Sequence, residues 1–184
     1  MRCPRPLRLG LLIALVLTCG GSLTQVTVTQ SASATIPGAT LLEQLAGSAL
    51  GFAGLGNFDI ADSQEFKNQG IKREQINSVK LRTLTLTVTA PPNGQDFTFL
   101  EGLSFFVEAA GQPKKEVARG GPFAKDATSV SLTVLDVELA PYAAAPSMTF
   151  TTTAKGRKPN STTTVEAKVV LVADVNVAGL VCGK

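Results

Sequence analysis

The sequence predicts a mainly β chain: an antiparallel sandwich of about seven strands with a short helical insert around residues 40–69. Three observations point there. Apolar residues alternate with polar ones in segment after segment, the period of a pleated strand rather than of a helix. Gly and Pro clusters punctuate those segments. Threonine, whose branched Cβ suits the pleat, recurs within them.

Residues 23–34 are the first expected strand. The pattern then breaks. Thr40-Leu41-Leu42-Glu43 is a capping box, in which the Thr40 hydroxyl accepts the Glu43 backbone N–H while the Glu43 side chain reaches back. Leu41, Leu42, Leu45, Ala49, Phe52 and Ala53 follow at helical spacing, and Gly54 and Gly56 stop the helix. A second short helix starts at Asp62 or Ser63 and ends before Gly70, with Phe66 turned inward. This insert is expected to cover one open end or face of the sandwich. Leu42, Leu45, Ala49 and Phe52 are its candidate contacts to an apolar ligand or a partner. Gly47 and Gly51 leave a small-residue face, but that spacing is a weak signal outside a long apolar span.

Strand patterning resumes at Val79 and Leu81 and changes parity to Leu84, Leu86 and Val88. One extra residue, a β-bulge, would return the apolar set to one face. Ala90-Pro91-Pro92-Asn93-Gly94 ends this strand. Segments 103–110 and 114–119 are the next two candidates, followed by the alternation of Val130, Leu132 and Val134. Residues 147–154 alternate through Met148, Phe150, Thr152 and Ala154. The longest run, 162–177, places Val165, Ala167, Val169, Leu171, Ala173, Val175 and Val177 on one face, and Val170 and Val172 make its centre apolar on both. The turn cluster Gly156-Arg157-Lys158-Pro159-Asn160 between these two runs predicts a hairpin. Strand number and punctuation suggest an immunoglobulin-like sandwich, although the chain has no Trp and lacks the Cys–Trp–Cys hallmark.

Residues 1–18 read as a signal peptide. Arg2, Arg5 and Arg8 form a positive n-region, residues 9–17 a short apolar h-region, and small residues surround Cys19. The apolar run is about half of the roughly 20 residues a membrane helix needs. Val16-Leu17-Thr18-Cys19 resembles the lipobox of bacterial lipoproteins, whose cysteine becomes the lipidated first residue of the mature chain. Val16 and the following Gly20, Gly21 and Ser22 fit that pattern, whereas Thr18 stands where a smaller residue is usual and Leu17 is bulky for its place. The resemblance covers the leader alone. It implies several acyl chains on Cys19, and two or more chains anchor stably at about 0.8 kcal/mol per buried CH₂. Gly20 in place of Asp implies the outer membrane. Ordinary cleavage near Gly20 or Gly21 is the other reading and gives a soluble periplasmic or secreted protein. Residues 64–100 also resemble uncharacterised predicted lipoproteins of Gram-negative bacteria, a likeness that carries no activity. Residues 19–184 are expected to form a single domain.

The formal charge of +3 comes from the leader, because Arg2, Arg5 and Arg8 are three of the 17 basic residues and the acidic residues number 14. Without the leader the chain is neutral and offers no long-range field to phosphate backbones, so no nucleic-acid partner is expected. Lys72-Arg73, Lys114-Lys115 and Arg157-Lys158 read as solvated loop ends. Of the three cysteines, Cys3 lies in the leader, and Cys182 has no partner if Cys19 is acylated. If it is not acylated, a Cys19–Cys182 disulfide would tie the two termini.

The chain has no histidine, which removes the usual general base at neutral pH and the commonest metal ligand. Asp136 and Glu138, two apart after a strand, are the candidate cation ligands. Asp59, Asp62 and Glu65 form a second acidic group, and neither set has the spacing of a calcium loop. No cofactor is expected. Gly120-Gly121 precedes Pro122 and reads as a turn, and Asn160-Ser161-Thr162 fits a glycosylation sequon that a bacterial lipoprotein would not use. Tyr142, the only tyrosine, reads as a buried corner or a ligand-stacking ring. Phe supplies the other nine aromatics, mostly at core positions, which disfavours carbohydrate recognition.

Three functional readings follow. The first is a non-enzymatic, lipid-anchored envelope protein acting as an interaction or structural module, with the membrane and an unidentified protein as partners. The second is a carrier of a small apolar ligand or lipid. The third is a carboxylate-dependent hydrolase.

Overall fold

The period-two pattern is realised most fully in the strand that sits between the two longest others. The computed structural model describes residues 23–40, 57–58, 63–91 and 95–176. In chain order these contain β1 (Leu23–Ile36), β2 (Asn57–Phe58), α1 (Gln64–Asn68), β3 (Ile76–Ala90), β4 (Leu100–Ala109), β5 (Gln112–Gly120), β6 (Ser129–Ser131), β7 (Thr133–Val134), α2 (Ala140–Ala143), β8 (Met148–Gly156) and β9 (Thr163–Asn176). Every odd residue of β9 from Thr163 to Val175 is buried. Its neighbours β1 and β3 run antiparallel to it on either side.

The strands form two antiparallel sheets, ordered β1-β9-β3-β6 and β2-β8-β4-β5-β7. Both contribute to one hydrophobic cluster: Val28, Leu84, Leu86 and Leu171 from the first, and Leu103, Phe105, Val107 and Phe150 from the second. All seven segments expected as strands are present. The immunoglobulin-like order is not confirmed. In that fold the strands divide as ABED and CFG, whereas here the first and last long strands are adjacent, Leu23 pairing with Asn176 and Ile36 with Thr163.

The bulge read from the parity change in β3 is present. Leu81 pairs with Leu171 and Thr83 with Val170, so Arg82 is the extra residue, and Leu84 and Leu86 return to the core. The segment expected as one strand over 130–134 is two. β6 pairs with β3 in the first sheet, and β7 pairs with β5 in the second. The chain changes sheets at Leu132, whose side chain is buried and whose N–H donates to the Leu84 carbonyl at 2.9 Å. Strands that switch sheets make the corners of such two-layer folds.

The expected hairpin of residues 147–154 and 162–177 is corrected: β8 and β9 lie in different sheets. Arg157 donates its N–H to the Phe99 carbonyl at 2.9 Å, and the Pro159 carbonyl accepts the Ala39 N–H at 2.8 Å. Those bonds tie the turn cluster to the start of β4 and to the chain just after β1. The two strands therefore find other partners, β4 for β8 and both β1 and β3 for β9. A second correction concerns Val170 and Val172, which are half-exposed rather than buried. They lie on the outer face of the first sheet, opposite Thr29 and Thr27 of β1.

The capping box at Thr40 and the first expected helix, including Leu42, Leu45, Ala49 and Phe52, lie outside the described residues apart from Thr40 itself. The second helix is α1, capped by the Ser63 hydroxyl, which accepts the Phe66 N–H at 3.4 Å. Phe66 is fully buried, and Glu65 Oε1 accepts the Thr29 N–H of β1 at 3.5 Å. Tyr142, on α2, is a buried corner whose hydroxyl donates to the Pro113 carbonyl at 2.7 Å.

Candidate functional site

Asp136 and Glu138 lie on the link between β7 and α2, and the fold uses both. Glu138 Oε1 accepts the backbone N–H groups of Val79 (2.7 Å) and Ala140 (2.9 Å), and Oε2 accepts the Ser78 hydroxyl (2.7 Å). One carboxylate thus clasps β3 to the start of α2. Burial pushes its pKa up, but those three bonds and the Lys80 charge outweigh it and hold the group below the ordinary glutamate value. Asp136 pairs with Lys80 at 2.6 Å on the open surface. The hydrogen bond from Lys80 and its charge hold the Asp136 carboxyl low, and the same contact raises Lys80.

With its oxygens already accepting two backbone N–H groups and the Ser78 hydroxyl, Glu138 has little capacity left for a cation. No group of three or more metal-ligating side chains occurs among the described residues. In the other acidic group, Glu65 accepts a mid-strand N–H of the edge strand β1, from Thr29, and Asp59 and Asp62 lie outside the described residues. Cys19 and Cys182 lie outside them too.

The clasp gives a pH prediction. A carboxyl whose folded pKa is depressed stabilises the fold above its unfolded pKa, and the contribution is lost as pH falls through the folded value. Glu138→Gln removes that charge while keeping one acceptor. It is expected to cost about 1 kcal/mol at neutral pH, discounted for exposure, and progressively less at acid pH as the carboxyl is protonated. Urea midpoints of the two proteins at neutral and at acid pH measure the difference, and a gap that does not narrow in acid would remove the clasp.

In two of the basic pairs singled out in the sequence, one member is engaged by its side chain. Arg73 donates to the Ala143 carbonyl at 3.4 Å and to the Ala145 carbonyl. Lys114 sits 2.8 Å from Glu108 Oε1 and 4.9 Å from the Phe106 ring centroid. A concavity lies elsewhere, on the outer face of the second sheet, with a volume of about 390 Å³. Gly102 of β4 is paired with Lys155 of β8, and Ser104 of β4 is paired with both Thr153 of β8 and Arg119 of β5. Leu103, Gly120, Gly121 and Thr133 add to the wall, and among the described residues no carboxylate lines it.

The hollow exists because Gly102 has no side chain. A Cβ built there would meet nothing within 4 Å, so it would project into the open space. Sequence reasoning missed this group because Arg119 and Lys155 sit singly in separate strands. Pairing of β5 and β8 with the two edges of β4 brings them onto one face. No family model, curated protein or solved structure matches this chain.

Proposed function

We propose that this chain is an exported envelope protein, anchored by acyl chains on Cys19, whose two-sheet body acts as a non-enzymatic interaction or structural module. The observation that carries the reading is the spacing between tether and body. Cys19 precedes the first residue of β1 by four positions. Four residues span at most about 14 Å, so the end of that strand would sit close to the headgroups of an anchoring bilayer. The outer membrane is the proposed location, from the Gly20 that follows the cysteine.

A binding role is supported by two further points. The sequence has no histidine, and the candidate carboxylates Asp136 and Glu138 are engaged in a surface ion pair and a backbone clasp. In this reading the two sheets pack as a sandwich, and the immunoglobulin resemblance is limited to its two antiparallel layers. Metabolic labelling with an alkyne fatty acid tests the tether. Label on the wild-type protein that disappears in Cys19→Ser is the expected result, and an unlabelled wild-type protein would overturn the proposal.

A further inference from the structure

We infer that the hollow over Gly102 is a binding site for a phosphate-type oxyanion, held between Arg119 and Lys155. The inference goes beyond the anchored-module reading and stands on geometry that does not involve Cys19. Arg119 and Lys155 are both exposed on the outer face, and among the described residues neither has an ion-pair or hydrogen-bond partner. Lys80 is paired with Asp136 and Lys114 with Glu108, while among the described residues Arg82, Lys115 and Lys168 are exposed and unpaired as well; what sets Arg119 and Lys155 apart is that both line one hollow. Because the chain is neutral once its leader is set aside, this is a local concentration of charge and not a sample of a basic surface.

The strand geometry sets the spacing. β5 and β8 flank β4, so their backbones lie about 10 Å apart, at twice the usual strand separation. Two long cationic side chains rising from those strands on one face can close on a single group between them. A guanidinium presents a planar fork that matches two oxygens of a phosphate, and an ammonium adds a compact point charge. Ser104 and Thr153 supply hydroxyl donors between the cations. The carboxylate nearest in sequence, Glu101, is the extra residue of a bulge between Leu100 and Gly102; it is exposed and does not line the hollow.

The volume, about 390 Å³, leaves room for a phosphate that carries a small organic group. A soluble phosphoester and the headgroup of an anionic phospholipid share that chemistry. The working contact is electrostatic and exposed, so binding weakens as salt rises.

The test uses the full chain in neutral detergent, titrated with glycerol 3-phosphate and followed by backbone amide shifts. Saturable shifts at Ser104, Arg119 and Thr153 are expected. The Arg119→Gln/Lys155→Gln double variant should bind about tenfold more weakly or not at all. Gly102→Val keeps both charges and fills the hollow, and should lose binding to a similar extent, while Lys168→Gln, on the other sheet, should bind as the wild type does. Absence of saturable shifts in the wild type, or equal titrations of wild type and double variant, would overturn the site. Equal binding by Gly102→Val would overturn the hollow as the place where the anion sits.

Nanodiscs of phosphatidylcholine, with and without phosphatidylglycerol, identify the source. Shifts at the same amides only when phosphatidylglycerol is present assign a lipid headgroup. Their absence there, with glycerol 3-phosphate still binding, assigns a soluble phosphoester. A protein without acyl chains would still bind glycerol 3-phosphate, so failure of the tether and failure of this site are separable.

Discussion

Replacing Gly156 with valine is expected to destabilise the protein by about 4 kcal/mol, a large share of the 5–15 kcal/mol typical of a domain. Gly156 ends β8 at φ 141°, a backbone conformation that L side chains rarely adopt. A Cβ at this position would be driven into the Phe99 carbonyl oxygen and would lie 3.0 Å from Leu100 Cα, both of them backbone atoms. Backbone strain of this kind costs about 1–3 kcal/mol, and relieving the overlap adds about as much again. The damage should be concentrated where the chain leaves one sheet for the other, because the Arg157 N–H bond to the Phe99 carbonyl directs that departure. Tyr142 is the only tyrosine, the chain has no Trp, and that ring is buried, so its fluorescence reports unfolding in urea. An unchanged midpoint would show that the chain does not leave β8 for the other sheet through the backbone conformation described at Gly156.

Phe105→Ala should cost a similar amount, about 4 kcal/mol, for a different reason. Phe105 is 1 % exposed at the middle of β4, paired with Thr152 on one side and Ala118 on the other. Truncation removes most of a fully buried ring and leaves a cavity that a strand paired on both edges cannot collapse to fill. The adjacent residue provides the control. Phe106 faces outward, half-exposed beside Lys114, and Phe106→Ala should cost less than about 1 kcal/mol. Comparable losses at the two positions would mean that the inner and outer faces of β4 had been assigned wrongly.

Much of the strand content was legible because burial on one face imposes a two-residue period that nothing else in the chain imitates. The parity change at Leu81 and Leu84 located the bulge for the same reason, and a start at Asp62 or Ser63 with an inward Phe66 located α1, whose cap is Ser63. Strand partners were not legible. The cluster from Gly156 to Asn160 has the composition of a hairpin turn, yet the sheet each flanking strand joins is decided by distant pairings with β1, β3 and β4. Composition also misplaced Val170 and Val172: two apolar residues on the outer face carry the same letters whether that face is covered or wet. The split at Leu132 left no sequence mark, since a buried leucine suits either sheet.

The candidate site divides along the same line. Asp136 and Glu138 were visible as a pair of carboxylates, but their spacing could not show that Glu138 would spend its oxygens on Val79, Ser78 and Ala140. Arg119, Gly102 and Lys155 are unremarkable where they stand in the sequence, and they meet only through the register of three strands. A local reading finds what neighbours in the chain do together, and the hollow is made by residues that are not neighbours.

The proposed lipid tether would decide where all of this chemistry takes place, and intact mass spectrometry of the protein extracted from membranes tests it most directly. The expected species begins at Cys19 and carries the added mass of its acyl groups. An unmodified product beginning near Gly20 or Gly21 and recovered from the soluble fraction would contradict the account and release the body from the bilayer.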